Sequence, residues 1–196
     1  KIKFNDGTQL IQKEFESFIW EGTNENEIIN GTDFSEIIYG YGGDDTIFGY
    51  SGTNQIYGGT GNDTLYATGE TVYGYTSDNN VLDGGIGNDI LWGGAKSDIL
   101  YGGTGNDTLK GRYGNDTYIF NLGDGQDTIE EYYGTDTIKF GVGIKKESLL
   151  ISRTSSDLII IEFKDSTDKI TISKSNFSDS AYKIENFEFA DGTILG

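Results

Sequence analysis

The chain has 196 residues, room for one ordinary domain or two small ones, and sets 32 Asp and Glu against 14 Lys and Arg for a net charge of −18. It holds 30 Gly and no Cys, Met, Pro or His, which excludes disulfides, thiolate nucleophiles, cysteine and HExxH zinc sites, Ser-His-Asp triads and imidazole bases. A chain this acidic repels nucleic acid and anionic membrane and attracts cations. No apolar run approaches the roughly 18 residues of a membrane span, and no signal peptide opens the chain. A start at Lys1 with no Met anywhere reads as a mature product or an excerpt from something larger.

Residues 1–21 carry four acids and three bases and read as the end of a preceding unit with an N-terminal cap. Residues 22–140 differ sharply, with 19 acids, four bases and most of the glycine. Such a composition ordinarily means disorder, but its regularity argues otherwise. GGTGNDTLY (58–66), GGIGNDILW (84–92) and GGTGNDTLK (102–110) share one nine-residue template. GYGGDDTIF (40–48), GGAKSDILY (93–101) and GRYGNDTYI (111–119) are close variants. Blocks begin at 22, 31, 40, 49 and 58, lose phase between 67 and 83, and resume at 84, 93, 102 and 111. Asp127 and Asp136 extend the series to about residue 140, giving roughly thirteen blocks.

Position eight of the block is apolar almost throughout: Ile29, Ile38, Ile47, Ile56, Leu65, Val72, Leu82, Leu91, Leu100, Leu109, Tyr118, Ile129 and Ile138. One inward side chain in nine defines a very short strand, and the glycine-rich residues before it turn the chain. Strand and turn repeated give a parallel coil of two strands and two turns per 18 residues. A single coil buries almost nothing, so the coils must stack, into a prism roughly 30 Å long.

From residue 145 the pattern changes to longer strands: 148–154, 157–163, 169–173 and 182–190, with TSSD and DSTD as turns. Residues 141–196, with nine acids and seven bases, read as a small antiparallel β unit that closes the open end of the stack. Leu149, Ile151, Ile159, Ile161, Ile170 and Ile172 are the side chains expected to supply the cover. Residues 189–195 (FADGTIL) echo residues 4–10 (FNDGTQL) at an offset of 185. The chain thus reads as one period of a tandem array.

Position six carries the chemistry: Glu27, Glu36, Asp45, Asn54, Asp63, Glu70, Asn80, Asp89, Asp98, Asp107, Asp116, Asp127 and Asp136. Acids two blocks apart line up in a column, about 4.8 Å from coil to coil. At an effective dielectric near 20 each like-charge neighbour costs about 3 kcal/mol. Lys and Arg are too few here to offset that, so a bound cation must. Carboxylate and backbone carbonyl oxygens without nitrogen or sulfur specify a hard divalent ion, with the flexible shell of Ca²⁺ favoured over octahedral Mg²⁺.

GGTGNDTLY, GGIGNDILW and GGTGNDTLK resemble the G-G-x-G-x-D-x-U-x nonapeptide of RTX proteins. The stretches Gly114–Phe120, Gly123–Ile129 and Thr135–Phe140, and the β-rich end after them, are similar to the haemolysin-type proteins, including iron-regulated exoproteins and toxins. The resemblance implies an all-β fold, a parallel β-roll over 22–140 capped by the segment 141–196. It also implies several calcium ions between turns, export by a type I system and an extracellular or cell-surface location. The metal ligands it implies are the acids Asp45, Asp63, Asp89, Asp98, Asp107, Asp116, Asp127 and Asp136. The turn glycines it adds are Gly40, Gly43, Gly58, Gly59, Gly61, Gly84, Gly85, Gly87, Gly93, Gly94, Gly102, Gly103, Gly105, Gly111 and Gly114. Glu27 and Glu36 sit in turns short of glycine and read as a cap. Asn54 and Asn80 weaken their columns, Lys96 replaces a turn glycine, and the stretch 67–83 is expected to bulge.

Position nine points outward yet carries Tyr39, Phe48, Tyr57, Tyr66, Tyr73, Trp92 and Tyr101. Such rows can shield a glycine-rich sheet, or stack on sugars and receive a protein partner. A glycosidase carboxylate pair is possible in principle, but every well-placed acid already has a ligand role, so no enzyme is expected. Two functions survive: a calcium-dependent folding and secretion module whose other partners are adjacent units of the parent protein, or an adhesin-like, polysaccharide-binding module on the same roll.

Overall fold

The computed structural model of the chain describes residues 2–3, 9–10, 18–69, 78–155, 158–174 and 184–196. Glu70, Val72 and Tyr73, most of the echo at residues 4–10, and parts of the two terminal strands expected at 157–163 and 182–190 lie outside the described residues.

The strands in chain order are β1 (Ile2–Lys3), β2 (Gln9–Leu10), β3 (Phe18–Glu21), β4 (Ile28–Asn30), β5 (Glu36–Gly42), β6 (Thr46–Phe48) and β7 (Gln55–Thr60). Next come β8 (Thr64–Tyr66), β9 (Val81–Ile86), β10 (Ile90–Trp92), β11 (Ile99–Thr104), β12 (Thr108–Tyr113), β13 (Thr117–Phe120) and β14 (Gln126–Tyr133). The last six are β15 (Asp136–Phe140), β16 (Leu149–Arg153), β17 (Ile159–Phe163), β18 (Lys169–Lys174), β19 (Ile184–Glu188) and β20 (Ile194–Leu195).

From β3 to β15 successive strands alternate between two parallel sheets, as a chain turning every nine residues must. One sheet runs β4-β6-β8-β10-β12-β14, the other β3-β5-β7-β9-β11-β13-β15. Register follows the repeat: Ile47 pairs with Leu65, Leu65 with Leu91, and Leu91 with Leu109. The described position-eight side chains are buried, apart from the half-buried Ile29 at the first coil. They make one apolar column between the sheets, thin because each coil gives it two residues.

The phase break is repaired in space. Thr64 pairs directly with Ile90, and Gln55 with Val81, so a single half-coil, β9, separates β8 from β10. Counting Glu70 as a rung of its own, as the periodicity suggests, therefore overcounts by one block. Parallel pairing rewards an unbroken ladder, and the two sheets run on across the insertion.

The terminal segment pairs antiparallel within itself, as expected, but joins the roll through parallel strands. β18 lies parallel on β14, with Ile129 opposite Ile172, and β19 lies parallel on β15, with Ile138 opposite Phe187. Each sheet thus gains one more parallel rung before β17, β16 and β20 add antiparallel edges. A parallel strand satisfies the groups that the last coil leaves open, and a hairpin needs only a short turn to continue from it. Ile161, Ile170 and Ile172 are buried as expected, but Ile151 is 56% exposed and covers nothing. Aromatic rings broaden the core here instead: Phe120 stacks on Phe163 at 5.0 Å, and Phe140 packs on Phe189 at 5.1 Å. No helix among the described residues is long and apolar enough to cross a membrane.

The echo between the two ends reaches the level of pairing. Ile2 pairs with Leu10 and Lys3 with Gln9, antiparallel; Phe187 pairs with Leu195 and Glu188 with Ile194. These are the same partners displaced by the same 185 residues.

Candidate metal centre

Three turn positions dictate the glycines. Position two takes positive φ in the stacked turns, at Gly59 (112°), Gly85 (104°) and Gly103 (96°) but also at Tyr41 (73°) and Arg112 (78°). Position four is Gly at 43, 61, 87, 105 and 114, all at positive φ, and here a second constraint applies: a Cβ at Gly87 would overlap the Gly61 carbonyl of the coil before. Position one needs room, because a Cβ at Gly40, Gly58, Gly84, Gly102 or Gly111 would overlap Oδ2 of its own turn's aspartate. Glycine is thus required by close approach as well as by backbone angle.

These turns set the position-six acids into two columns held by the backbone. In the first, the Glu27 amide donates to Asp45 Oδ1 (2.8 Å), Asp45 to Asp63 (2.8 Å), Asp63 to Asp89 (2.7 Å), Asp89 to Asp107 (2.7 Å) and Asp107 to Asp127 (3.0 Å). In the second, the amides run Glu36 to Asn54, Asn54 to Asn80, Asn80 to Asp98, Asp98 to Asp116 and Asp116 to Asp136, between 2.7 and 2.9 Å. Asp136 then donates to Glu185 Oε2 on β19 at 2.8 Å. The structure brings together all the paired acids that the periodicity predicts, and it adds Asp63 with Asp89 across the phase break.

The second oxygen is where a cation belongs. Oδ2 of Asp45, Asp63, Asp89, Asp107, Asp116 and Asp136 is buried without a hydrogen-bond partner. A buried carboxylate oxygen left so is costly unless a positive charge meets it. The Asn54 turn shows what that place accepts. There the side-chain amide nitrogen stands in for Oδ2 and donates to the carbonyls of Gly49 (3.0 Å), Ser51 (3.2 Å) and Gly52 (3.3 Å). By position these are Gly58, Thr60 and Gly61 around Asp63. The turn therefore presents three carbonyls to its centre, and an aspartate there adds a negative oxygen. Such an all-oxygen set fits Ca²⁺.

Other turns close themselves. Asp98 Oδ2 accepts the Gly94 amide of its own turn at 2.6 Å, so this turn differs from those of Asp89 and Asp107. Glu27 reaches back to the Thr23 amide (2.6 Å), while Glu36 takes the Thr32 amide (3.0 Å) and its hydroxyl. Asn80, read as part of a broken turn, is instead buried in the second column and donates to Asp98 Oδ1 at 3.0 Å.

Two lysines are engaged away from the columns. Lys110 pairs with Glu130 at 2.9 Å and Lys139 with Glu188 at 3.1 Å, on outward strand positions. Without a cation, burial pushes the carboxyls of Asp63, Asp98 and Asp107 up to about 6, Asp89 to about 7, and Asp116 and Asp127 to about 8.

Sequence reasoning missed Glu131 and the polar role of Tyr118. Both are buried, and the Tyr118 hydroxyl donates to Glu131 Oε2 while accepting the Gly111 amide at 2.9 Å. The available signal was phase: counted back from Asp136, Glu131 stands at position one, where the turns of Asp45, Asp63, Asp89, Asp107 and Asp116 have glycine. Asp124 also went unremarked; it accepts the Asn121 amide at 2.7 Å in the turn before β14.

The family model of the RTX calcium-binding nonapeptide repeat matches in four copies, at residues 21–56, 30–65, 76–100 and 92–129. A haemolysin-type calcium binding protein related domain matches residues 157–196. The chain belongs to the RTX calcium-binding repeat family and is a calcium-binding parallel β-roll. No curated protein matches the sequence. Among solved structures it is similar to the extracellular lipase LipA from Serratia marcescens, at 17% identity and a TM-score of 0.41, over 98% of this chain and 41% of that one. The chain spans less than half the length of that lipase.

Proposed function

We propose that this chain is the calcium-operated folding module of an exported protein: loose where calcium is scarce, ordered where it is plentiful, and without catalysis of its own. The observation that carries the reading is the set of six aspartates whose second oxygen is buried and unpartnered in two continuous columns. An ion that binds only the folded roll stabilises it by RT ln(1 + [Ca²⁺]/Kd) at each site, and the sites add. Extracellular modules with such ligands bind near 10⁻⁴ to 10⁻³ M, far above cytosolic calcium. The module therefore passes a type I exporter unfolded and folds outside. Protease protection across a calcium titration tests this. Protection should appear only between micromolar and millimolar calcium, and full protection in a chelator would contradict the proposal.

The outward aromatic rows favour shielding over glycan or protein capture. Phe48 stacks on Tyr66 (4.8 Å, 11°), Tyr66 on Trp92 (6.0 Å, 14°), and the Lys110 ammonium covers the Trp92 ring at 4.2 Å. Ring faces spent on one another are withdrawn from a sugar. A calcium-loaded glycan array with no retained ligand fits this reading; saturable binding lost on mutating Trp92 would favour the adhesin-like alternative.

A further inference from the structure

Glu131 is, with Asp124 and Asp168, one of the buried acids among the described residues that stand off position six. It occupies a position-one site, where glycine in the turns of Asp45, Asp63, Asp89, Asp107 and Asp116 makes room for an aspartate oxygen. Its own coil is longer: Asp116 and Asp136 are 20 residues apart against 18 for Asp98 and Asp116. The pairing of β12 with β14 shifts register on both sides of Arg112, which pairs with Glu131, and this irregularity gives the side chain space to turn inward. Glu131 is 1% exposed. Its Oε2 is engaged by the Tyr118 hydroxyl, while Oε1 is buried without a partner, as are Asp116 Oδ2 and Asp136 Oδ2. Ligand oxygens of the three residues lie within 4.8 Å of one another. The tyrosine points the same way. Position eight is otherwise aliphatic in the roll, and Tyr118 is placed there with its hydroxyl fixed between the Gly111 amide and Glu131.

We propose that Asp116, Glu131 and Asp136 form a calcium site of a different kind from the turn sites, in which three carboxylates converge on one ion and Tyr118 acts as a positioning residue for Glu131. The proposal adds a site to the calcium-binding reading above and rests on it. Oxygen-only donors on an irregular frame suit calcium better than magnesium, which demands near-ideal octahedral geometry, or softer metals. Three formal negative charges make this the most strongly attracting place on the roll, so it fills first. It also sits at a junction, because the Asp136 amide is bound by Glu185 of the terminal strand β19. Filling it fastens the last coil to the C-terminal segment.

Native mass spectrometry and calorimetry on the full chain test the site. Glu131→Gln should bind one calcium fewer and weaken the tightest step at least tenfold, leaving the weaker steps in place. Tyr118→Phe retains all three carboxylates. It should keep the ion count, weaken the same step, and abolish the tyrosine-sensitised emission seen with the first equivalent of Tb³⁺. If Glu131→Gln binds the wild-type number of ions with an unchanged tightest step, Glu131 is only a protonated core residue and the proposal is overturned. Should that variant fail to fold, Tyr118→Phe decides: unchanged first-equivalent emission overturns the proposal. A wild-type chain that bound no calcium would instead overturn the calcium-binding reading itself.

Discussion

Each position-six aspartate has two oxygens with separate tasks: Oδ1 accepts an amide from the coil before, and Oδ2 faces its own turn. Asp89→Ala should therefore lose an ion and also orphan the Asp63 amide, costing about 1–3 kcal/mol even in calcium. Denaturant midpoints with and without calcium separate the two effects. Asn54→Asp is the reverse experiment. It removes the amide that now bonds three carbonyls and supplies an oxygen instead, so the variant should bind one more calcium and be less stable in chelator. The raised carboxyls give a pH dependence. Without calcium, protonation favours the fold, so stability is present below the ordinary carboxyl range near 4 and is lost as pH rises through about 6 to 8. With calcium the order inverts: affinity should fall between pH 8 and 6 and binding should release protons, as calorimetry in buffers of different ionisation heat would show. Phase alone made Asp45, Asp63, Asp89 and Asp107 legible in the sequence. The split between their oxygens was not, nor was Glu131, because a periodic reading treats a residue off the template as noise.

At the scale of the element, the repeat dictates strand, turn and face, but not strand length. A template with one inward residue in nine suggests strands of three, as β6, β8 and β10 are. The opposing β7, β9 and β11 have six residues each, because their glycine turns continue the parallel ladder: Gly59 pairs with Gly85, and Gly85 with Gly103. That close stacking makes position four the least tolerant point of the block. Gly105 has φ of 146°, and a Cβ there would overlap the Gly87 carbonyl. Gly105→Ala should cost at least about 2 kcal/mol in thermal or denaturant unfolding with calcium present. The same change at Gly123, where a Cβ would meet nothing within 4 Å, carries only the backbone penalty and should cost less.

Across the whole molecule, the roll has an aliphatic column two residues wide per coil, and it ends in an aromatic core built with the C-terminal strands. Removing residues 141–196 would expose the edges of β14 and β15 and uncover Phe120 and Phe140, so the shortened chain should need more calcium to fold and should aggregate. Light scattering along a calcium titration reads both effects. The existence of this cap was legible in the alternation of Ile170 and Ile172. Its parallel start was not, because direction is set by which open sheet edge the strand reaches and leaves no mark in a five-residue pattern. The central claim is that calcium sits between turns, on aspartate Oδ2 and inward carbonyls, wherever an amide does not already fill that place. Anomalous diffraction from crystals grown in calcium tests it most directly. The account predicts ions about 2.3–2.6 Å from Oδ2 of Asp63, Asp89 and Asp107, with none at Asn54; ions confined to exposed surface acids, or one seated in the Asn54 turn, would contradict it.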